Sequence, residues 1–254
     1  MEHEGAPPWE RDPLGRWPKC IETEDGARVS IEKDPTDLDG WRAVLVAADG
    51  GGERYRRDTR AMSSMAVATD GGVVIAHVED AVSRYAPTGA LLWKTPHPRC
   101  GAPAVSIGGD GRVVFACGYS LIAMSPEGRL LWQKWPFGNQ HVGQPLLLDD
   151  GTMVVRSGAS VARLDANAEP IWKIDAGWNR YVYPIGALAN GNLVFRTAQD
   201  ELHTPGEVHI YYPSEPQELF VISRAGAIVS RRETETDWPA ALPWTPGLRS
   251  GRLP

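Results

Sequence analysis

The chain has 254 residues, 42% hydrophobic and 23% charged, which is the make-up of an ordinary soluble globular protein with enough chain for a sizeable core. Its 26 basic against 32 acidic residues leave a net charge of −6, which disfavours a nucleic acid or an anionic membrane surface as the main partner. No segment approaches the roughly 18 uninterrupted apolar residues of a membrane helix.

Residues 1–18 are polar, with Pro7, Pro8, Pro13 and Pro18, and show no periodicity; they read as an N-terminal arm. A degenerate first unit follows. Cys20 to Thr23 leads into Asp25-Gly26, then Ala27 to Ile31, an insertion rich in Asp and Pro, Trp41 to Ala48, the turn Asp49 to Gly52 and Glu53 to Arg57. From there the chain repeats itself. Asp70-Gly71, Asp110-Gly111, Asp150-Gly151 and Asn190-Gly191 recur every forty positions, and Trp93, Trp132 and Trp172 keep nearly the same spacing. A fixed period of this length marks an array of supersecondary units.

Each unit reads as four short strands. In the third they are Pro103 to Ile107, Arg112 to Ala116, Ser120 to Met124 and Arg129 to Lys134. Runs such as Val113-Val114-Phe115 are short, β-branched or aromatic and bounded by Asp, Gly and Pro, which favours strands over helices. Asp-Gly and Asn-Gly supply the positive φ that tight turns demand. The fold class expected is therefore all-β, a β-propeller of about five four-stranded blades over residues 19–237. A Pro-rich tail over 238–254 is too short for another blade and could seal the ring.

The segments Thr88-Gly89-Ala90-Leu91-Leu92-Trp93 and Glu127-Gly128-Arg129-Leu130-Leu131-Trp132 resemble the repeats of the PQQ-like (quinoprotein-like) β-propeller family. The likeness covers roughly residues 64–232. It implies a WD40-like array in which a turn, a glycine and a tryptophan end each blade, with the tryptophan packed between neighbouring blades. It implies no chemistry, because one superfold hosts many activities. Quinone-binding members hold calcium through Asn, Glu and Asp on a longer, eight-bladed chain, and no positions here match that motif, so no cofactor and no metal are expected.

Strand parity then separates two faces. Turns joining first to second and third to fourth strands are compact and share one face. The other face receives the second-to-third turns and the connections between units, which are longer and aromatic: Lys94 to Ala102, Gln133 to Gly143 and Asp175 to Tyr183. Loops on a rigid scaffold carry function, and Trp, Tyr and Arg dominate interface energetics. The candidate binding residues are accordingly His97, Arg99, Trp135, Asn139, His141, Trp178, Arg180 and Tyr181. An insertion near Gln199 to Gln217 falls on the same face.

Catalytic signals are faint. His97, His141 and Arg180 are the polar groups from which an acid–base site could be assembled. His203 and His209 lack metal-ligand spacing. Cys100, beside Arg99 and His97, reads as a buried, inert thiol rather than a nucleophile. With no apolar signal segment at the start of the sequence, a reducing cytoplasm is expected.

The leading expectation is a non-catalytic scaffold, monomeric or homodimeric, that binds a protein or peptide partner on the loop-rich face. One alternative is an enzyme, a hydrolase, lyase or cyclase acting on a small molecule or peptide at the tunnel mouth. Another is a lectin-like module with a sugar stacked on Trp135 or Trp178.

Overall fold

The computed structural model describes the backbone of residues 20–22, 28–33, 42–49, 52–60, 64–77, 81–100, 103–175, 180–188, 190–199 and 217–234. Side chains are described for residues 64–77, 81–100, 103–175, 190–195 and 218–231, together with residues 29 and 188. The arm at 1–18, the tail at 238–254, the insertion between Gln199 and Gln217, and Trp178 all lie outside them.

All regular structure among the described residues is β. The strands are β1 (Cys20–Glu22), β2 (Arg28–Lys33), β3 (Arg42–Asp49), β4 (Gly52–Arg60), β5 (Ser64–Val67), β6 (Val73–Ala76), β7 (Ala81–Tyr85), β8 (Leu91–Pro96), β9 (Ala104–Ile107) and β10 (Val113–Cys117). They continue with β11 (Ser120–Met124), β12 (Leu130–Lys134), β13 (Leu146–Leu147), β14 (Met153–Ser157), β15 (Ser160–Leu164), β16 (Pro170–Asp175), β17 (Arg180–Ala187), β18 (Leu193–Gln199), β19 (Gln217–Ile222) and β20 (Ile228–Thr234). Four consecutive strands at a time form an antiparallel meander, so the described residues hold five four-stranded sheets. The strands expected in the third unit are observed within one residue of their sequence boundaries.

Burial explains the sequence pattern strand by strand. Second and third strands are covered on both faces by neighbouring sheets, so β6, β10 and β11 are buried along almost their whole length and read as continuous apolar runs. Fourth strands lie at the outside, and β8 and β16 are exposed at alternate positions or more. The cores sit between sheets. One joins Ala66 and Val74 to Phe115 and Ile122, the next joins Val114 and Leu121 to Met153 and Val155, and a third joins Val154 and Val161 to Phe195 and Phe220.

The recurrent Asp/Asn-Gly pair has a local cause. Asp70, Asp110, Asp150 and Asn190 each accept, through Oδ1, the backbone N–H two residues on, at 2.9, 3.0, 3.1 and 3.0 Å. The side chain thus closes the turn, and the glycine between takes φ of 77° to 79°.

The recurrent tryptophan clamps one sheet to the next. Indole Nε1 of Trp93 donates to the Pro126 carbonyl at 2.8 Å, that of Trp132 to Ala166 at 3.0 Å and that of Trp172 to Arg224 at 3.0 Å. Each receiving carbonyl belongs to the last turn of the following sheet and also accepts from an arginine: Arg84, Arg112 and Arg163 respectively. The tryptophans are half-buried, packed against the inter-sheet cores rather than enclosed in them. Gly128 shows why a glycine ends the turn. It has φ +81°, and a Cβ would stand 2.6 Å from Cδ2 of Trp93.

At the third clamp the Arg163 side chain is 7% exposed and pairs with Asp150, while its Nε donates to Thr152 at 3.0 Å. Burial raises the Asp150 carboxyl, but hydrogen bonds from the Thr152 hydroxyl and backbone, with Arg163 and Arg224, outweigh it and hold the carboxyl below its ordinary value.

Candidate functional site

The two-face reading holds among the described residues. On one face the turns are near copies: Gly71, Gly89, Gly111, Gly128, Gly151, Ala168, Gly191 and Gly226 each donate their N–H to the carbonyl three residues back, at 2.7 to 3.0 Å. The opposite face carries the turn after β6, the hairpins Gly118-Tyr119 and Gly158-Ala159, and the connections after β8 and β12. The two hairpins repeat in backbone, with Gly118 and Gly158 at φ 60° and 54° and Ser120 and Ser160 opening the next strand, but the connections after β8 and β12 do not.

The connection from Trp135 to Gln144 folds back over two sheets. Val142 N–H donates to Gly118 O at 2.8 Å, above the β10–β11 hairpin, and Gly143 N–H to Arg156 O at 2.9 Å, on the next sheet. Val142 and Phe137 are buried beneath it, and Lys173 Nζ lies 5.0 Å from the Phe137 ring centroid. Burying these two side chains leaves their neighbours outward. Trp135 is 58% exposed, and Asn139, Gln140 and His141 are exposed. His141 packs edge-on against Tyr119 with ring centroids 4.6 Å apart, and Tyr119 is itself 45% exposed. The connection thus exposes aromatic and amide groups on a backbone that leaves β12 and is hydrogen-bonded down at Val142 and Gly143. Tyr119 was not singled out from the sequence. Its signal was position, at the tip of a second-to-third-strand hairpin on the face already selected.

His97 belongs to a second cluster on the same face. Its Nε2 is 3.1 Å from the His77 carbonyl, its ring centroid is 5.2 Å from that of Phe115, and its Nδ1 is 3.5 Å from Cys100 Sγ and against the Pro98 carbonyl. His77 Nε2 in turn reaches Ser83 Oγ at 3.0 Å. His97 and His141 thus make their ring contacts with different residues, Phe115 and Tyr119. Arg99 is exposed, next in sequence to Pro98 and Cys100 of this second cluster. Arg180 and Tyr181 begin β17, which starts from the same face; their side chains, like Trp178, lie outside the described residues.

One expectation is corrected. Cys100 is buried, as read from the sequence, but it is no free thiol: it is bonded to Cys117, with Cα atoms 5.1 Å apart. The register supplies the reason. Ala104 faces Ala116 across β9 and β10, so Cys117, next after Ala116, lies at the end of the hairpin where the connection carrying Cys100 leads into β9.

Fold and comparisons agree on the class. The chain is an all-β protein of four-stranded antiparallel sheets whose structural neighbours are propellers. It is similar to a protein of unknown function from Bacteroides caccae, at TM-score 0.57 and 16% identity over 86% of this chain and 82% of that one. It is similar as well to virginiamycin B lyase from Staphylococcus aureus, at 0.58 and 13% over 87% and 70%, and to the WD40 domain of Neurospora crassa Pan2, at 0.50 and 12% over 80% and 64%. At such identities the likeness is one of fold.

More particularly, residues 78–182 match the PQQ-repeat family model described as outer membrane protein assembly factor BamB, which bears out the resemblance read from the Gly–Trp repeat. No curated protein matches the sequence. No helix of the described residues is long and apolar enough to cross a membrane.

Proposed function

We propose that the chain is a non-catalytic scaffold, a propeller of about five blades, that binds a protein or peptide partner on its connection face. The observation that carries this reading is that one connection exposes Trp135, Asn139 and His141, with Tyr119 packed on His141. Large aromatic side chains are held exposed there by a backbone hydrogen-bonded to two sheets. Rigid aromatics beside amide groups are what protein interfaces use as anchors, since little side-chain freedom is lost on binding. Arg99, Arg180, Tyr181, Trp178 and His97 extend the proposed surface along the same face. The working unit is a monomer or homodimer, in the cytoplasm.

Co-purification from the native host tests this. The wild-type chain should retain a partner that the combined Trp135→Ala and His141→Ala variant loses, with unchanged circular dichroism. If every captured partner stayed bound to that variant, the reading would fail.

The enzyme reading draws on the lyase among the structural neighbours, a likeness of fold. It requires His97 and His141 to act on one substrate, although their rings are engaged by Phe115 and Tyr119. A lectin-like reading would use Trp135 as the sugar platform, and binding on a glycan array is its test.

A further inference from the structure

Four atoms with lone pairs converge at the open end of the β9–β10 hairpin. Cys100 Sγ, Cys117 Sγ and His97 Nδ1 all lie within 4.8 Å of one another. The Pro98 carbonyl oxygen is 3.2 Å from Cys100 Sγ, 3.7 Å from Cys117 Sγ and against His97 Nδ1. The imidazole is oriented from outside the cluster, because its Nε2 faces the carbonyl of His77 at 3.1 Å. Both ring nitrogens thus face carbonyls, which only accept, and the tautomer that could ligate a metal is the one with the hydrogen on Nε2, donated to His77, and the lone pair on Nδ1 beside the sulfur. Fixing a histidine tautomer through its far nitrogen is what the outer shell of a metal site does.

The spacing fits one small cation. A tetrahedral zinc with bonds of about 2.0 to 2.3 Å places neighbouring ligand atoms about 3.3 to 3.8 Å apart. The nitrogen–sulfur distance here is 3.5 Å, inside that range. The two sulfurs are closer because they are bonded, and the Pro98 oxygen stands too close to Nδ1 for both to ligate one ion. Two thiolates and an imidazole are a set that soft, tetrahedral zinc takes readily. Cys100 is buried, whereas Cys117 and His97 are partly exposed, which leaves one side open to solvent.

We propose that reduction of the Cys100–Cys117 disulfide turns this cluster into a zinc site, with Cys100, Cys117 and His97 as ligands and water in the fourth position. In a reducing compartment a dithiol reductant supplies the step. One of its thiolates attacks the exposed Cys117 sulfur, forming a mixed disulfide and releasing Cys100 as the thiolate. Its second thiol then displaces Cys117, and the reductant leaves as its own disulfide. Two electrons and two protons pass to the protein. Zinc binds both sulfurs as thiolates, their two protons go to solvent, and Nδ1 coordinates through its lone pair while the single ring hydrogen sits on Nε2. Cys117 ends the strand that leads into the Tyr119 hairpin, so disulfide and zinc are alternative ways to tie the connection after β8 to that hairpin.

Cobalt(II), a coloured stand-in for zinc, tests this in a Cys20→Ser background that leaves only the pair. After reduction by a phosphine and its removal, the protein should bind one equivalent of cobalt, with thiolate-to-metal charge transfer and intense tetrahedral d–d bands. One equivalent of zinc should abolish the spectrum. The oxidised protein should bind none. Cys117→Ser should remove most of the charge transfer, and His97→Gln should weaken binding on the order of tenfold or more. Should a variant fail to fold, the oxidised and reduced forms decide by themselves. Equal uptake by both forms, no uptake by the reduced form, or a spectrum unchanged in folded Cys117→Ser and His97→Gln proteins would each overturn the proposal.

Discussion

The two faces of this protein are built on opposite principles. On the turn face, chain segments forty residues apart repeat the same hydrogen bonds. An Asp or Asn closes one turn, a glycine with positive φ closes another, and an indole from the preceding sheet donates to the carbonyl beside it. On the connection face the hairpins at Gly118 and Gly158 share a backbone, but the connections do not repeat: a disulfide ties one down, and a fold-back over a hairpin orders the next. The comparison teaches where to look in a repeat protein. Residues recurring in phase hold sheets together, and exposed residues that break phase are free to be selected for a partner.

The largest effects should come from the turn face and should leave recognition untouched. Trp93→Ala removes the ring packed on Gly128 and the bond to Pro126, and should destabilise by about 3 to 5 kcal/mol in denaturant titration. A loss below about 1 kcal/mol would show that the clamps do not hold the array together. Gly128→Ala should cost on the order of 3 kcal/mol, combining a left-handed alanine with a clash against Trp93. Gly118→Ala on the connection face, at φ +60° with nothing within 4 Å of its would-be Cβ, should cost only the backbone term, about 1 to 2 kcal/mol. Equal losses at the two glycines would remove the close approach of Trp93 as the cause.

On the connection face, the disulfide closes a loop between residues 17 apart in sequence. Its reduction in chelator-containing buffer should lower stability by about 3 kcal/mol, read as a lower thermal midpoint. Trp135→Ala should do the reverse of Trp93→Ala. Stability should change by less than about 0.5 kcal/mol, as expected for an exposed side chain, while partner affinity falls by about 2 kcal/mol, roughly thirtyfold. A large fall in stability would place Trp135 with the structural tryptophans instead.

The smallest effect concerns the Asp150 carboxyl. Its folded value is depressed, so its contribution to stability is complete above the ordinary aspartate range of about 3.9. It is lost as pH falls through that range toward the folded value. Asp150→Asn should therefore flatten the acid limb of a stability–pH curve and leave its shape at neutral pH unchanged. An acid limb identical to wild type would show that Arg163 and Thr152 do not distinguish the ionised form.

Much of this was legible in the sequence because its causes are local. Asp110-Gly111 closes a turn through atoms two residues apart, and Val113-Val114-Phe115 is apolar throughout because neighbouring sheets cover both faces of β10. Face parity followed from counting four strands. The role of Trp93 was half legible. Its phase marked it as structural, but its bond to Pro126 depends on the next sheet lying alongside.

By itself, then, the sequence determined the period, the four-strand unit, the turn chemistry and the face on which unlike connections gather, all set by contacts within a few residues. Tertiary structure alone decided the rest. Cys100 meets Cys117 because the pairing of β9 with β10 brings the connection after β8 to the end of β10. Tyr119 meets His141 because the connection after β12 folds back onto a hairpin. Such contacts rest on chain reversals whose span and direction no local pattern encodes, and on this protein they lie on the face where the repeat ends.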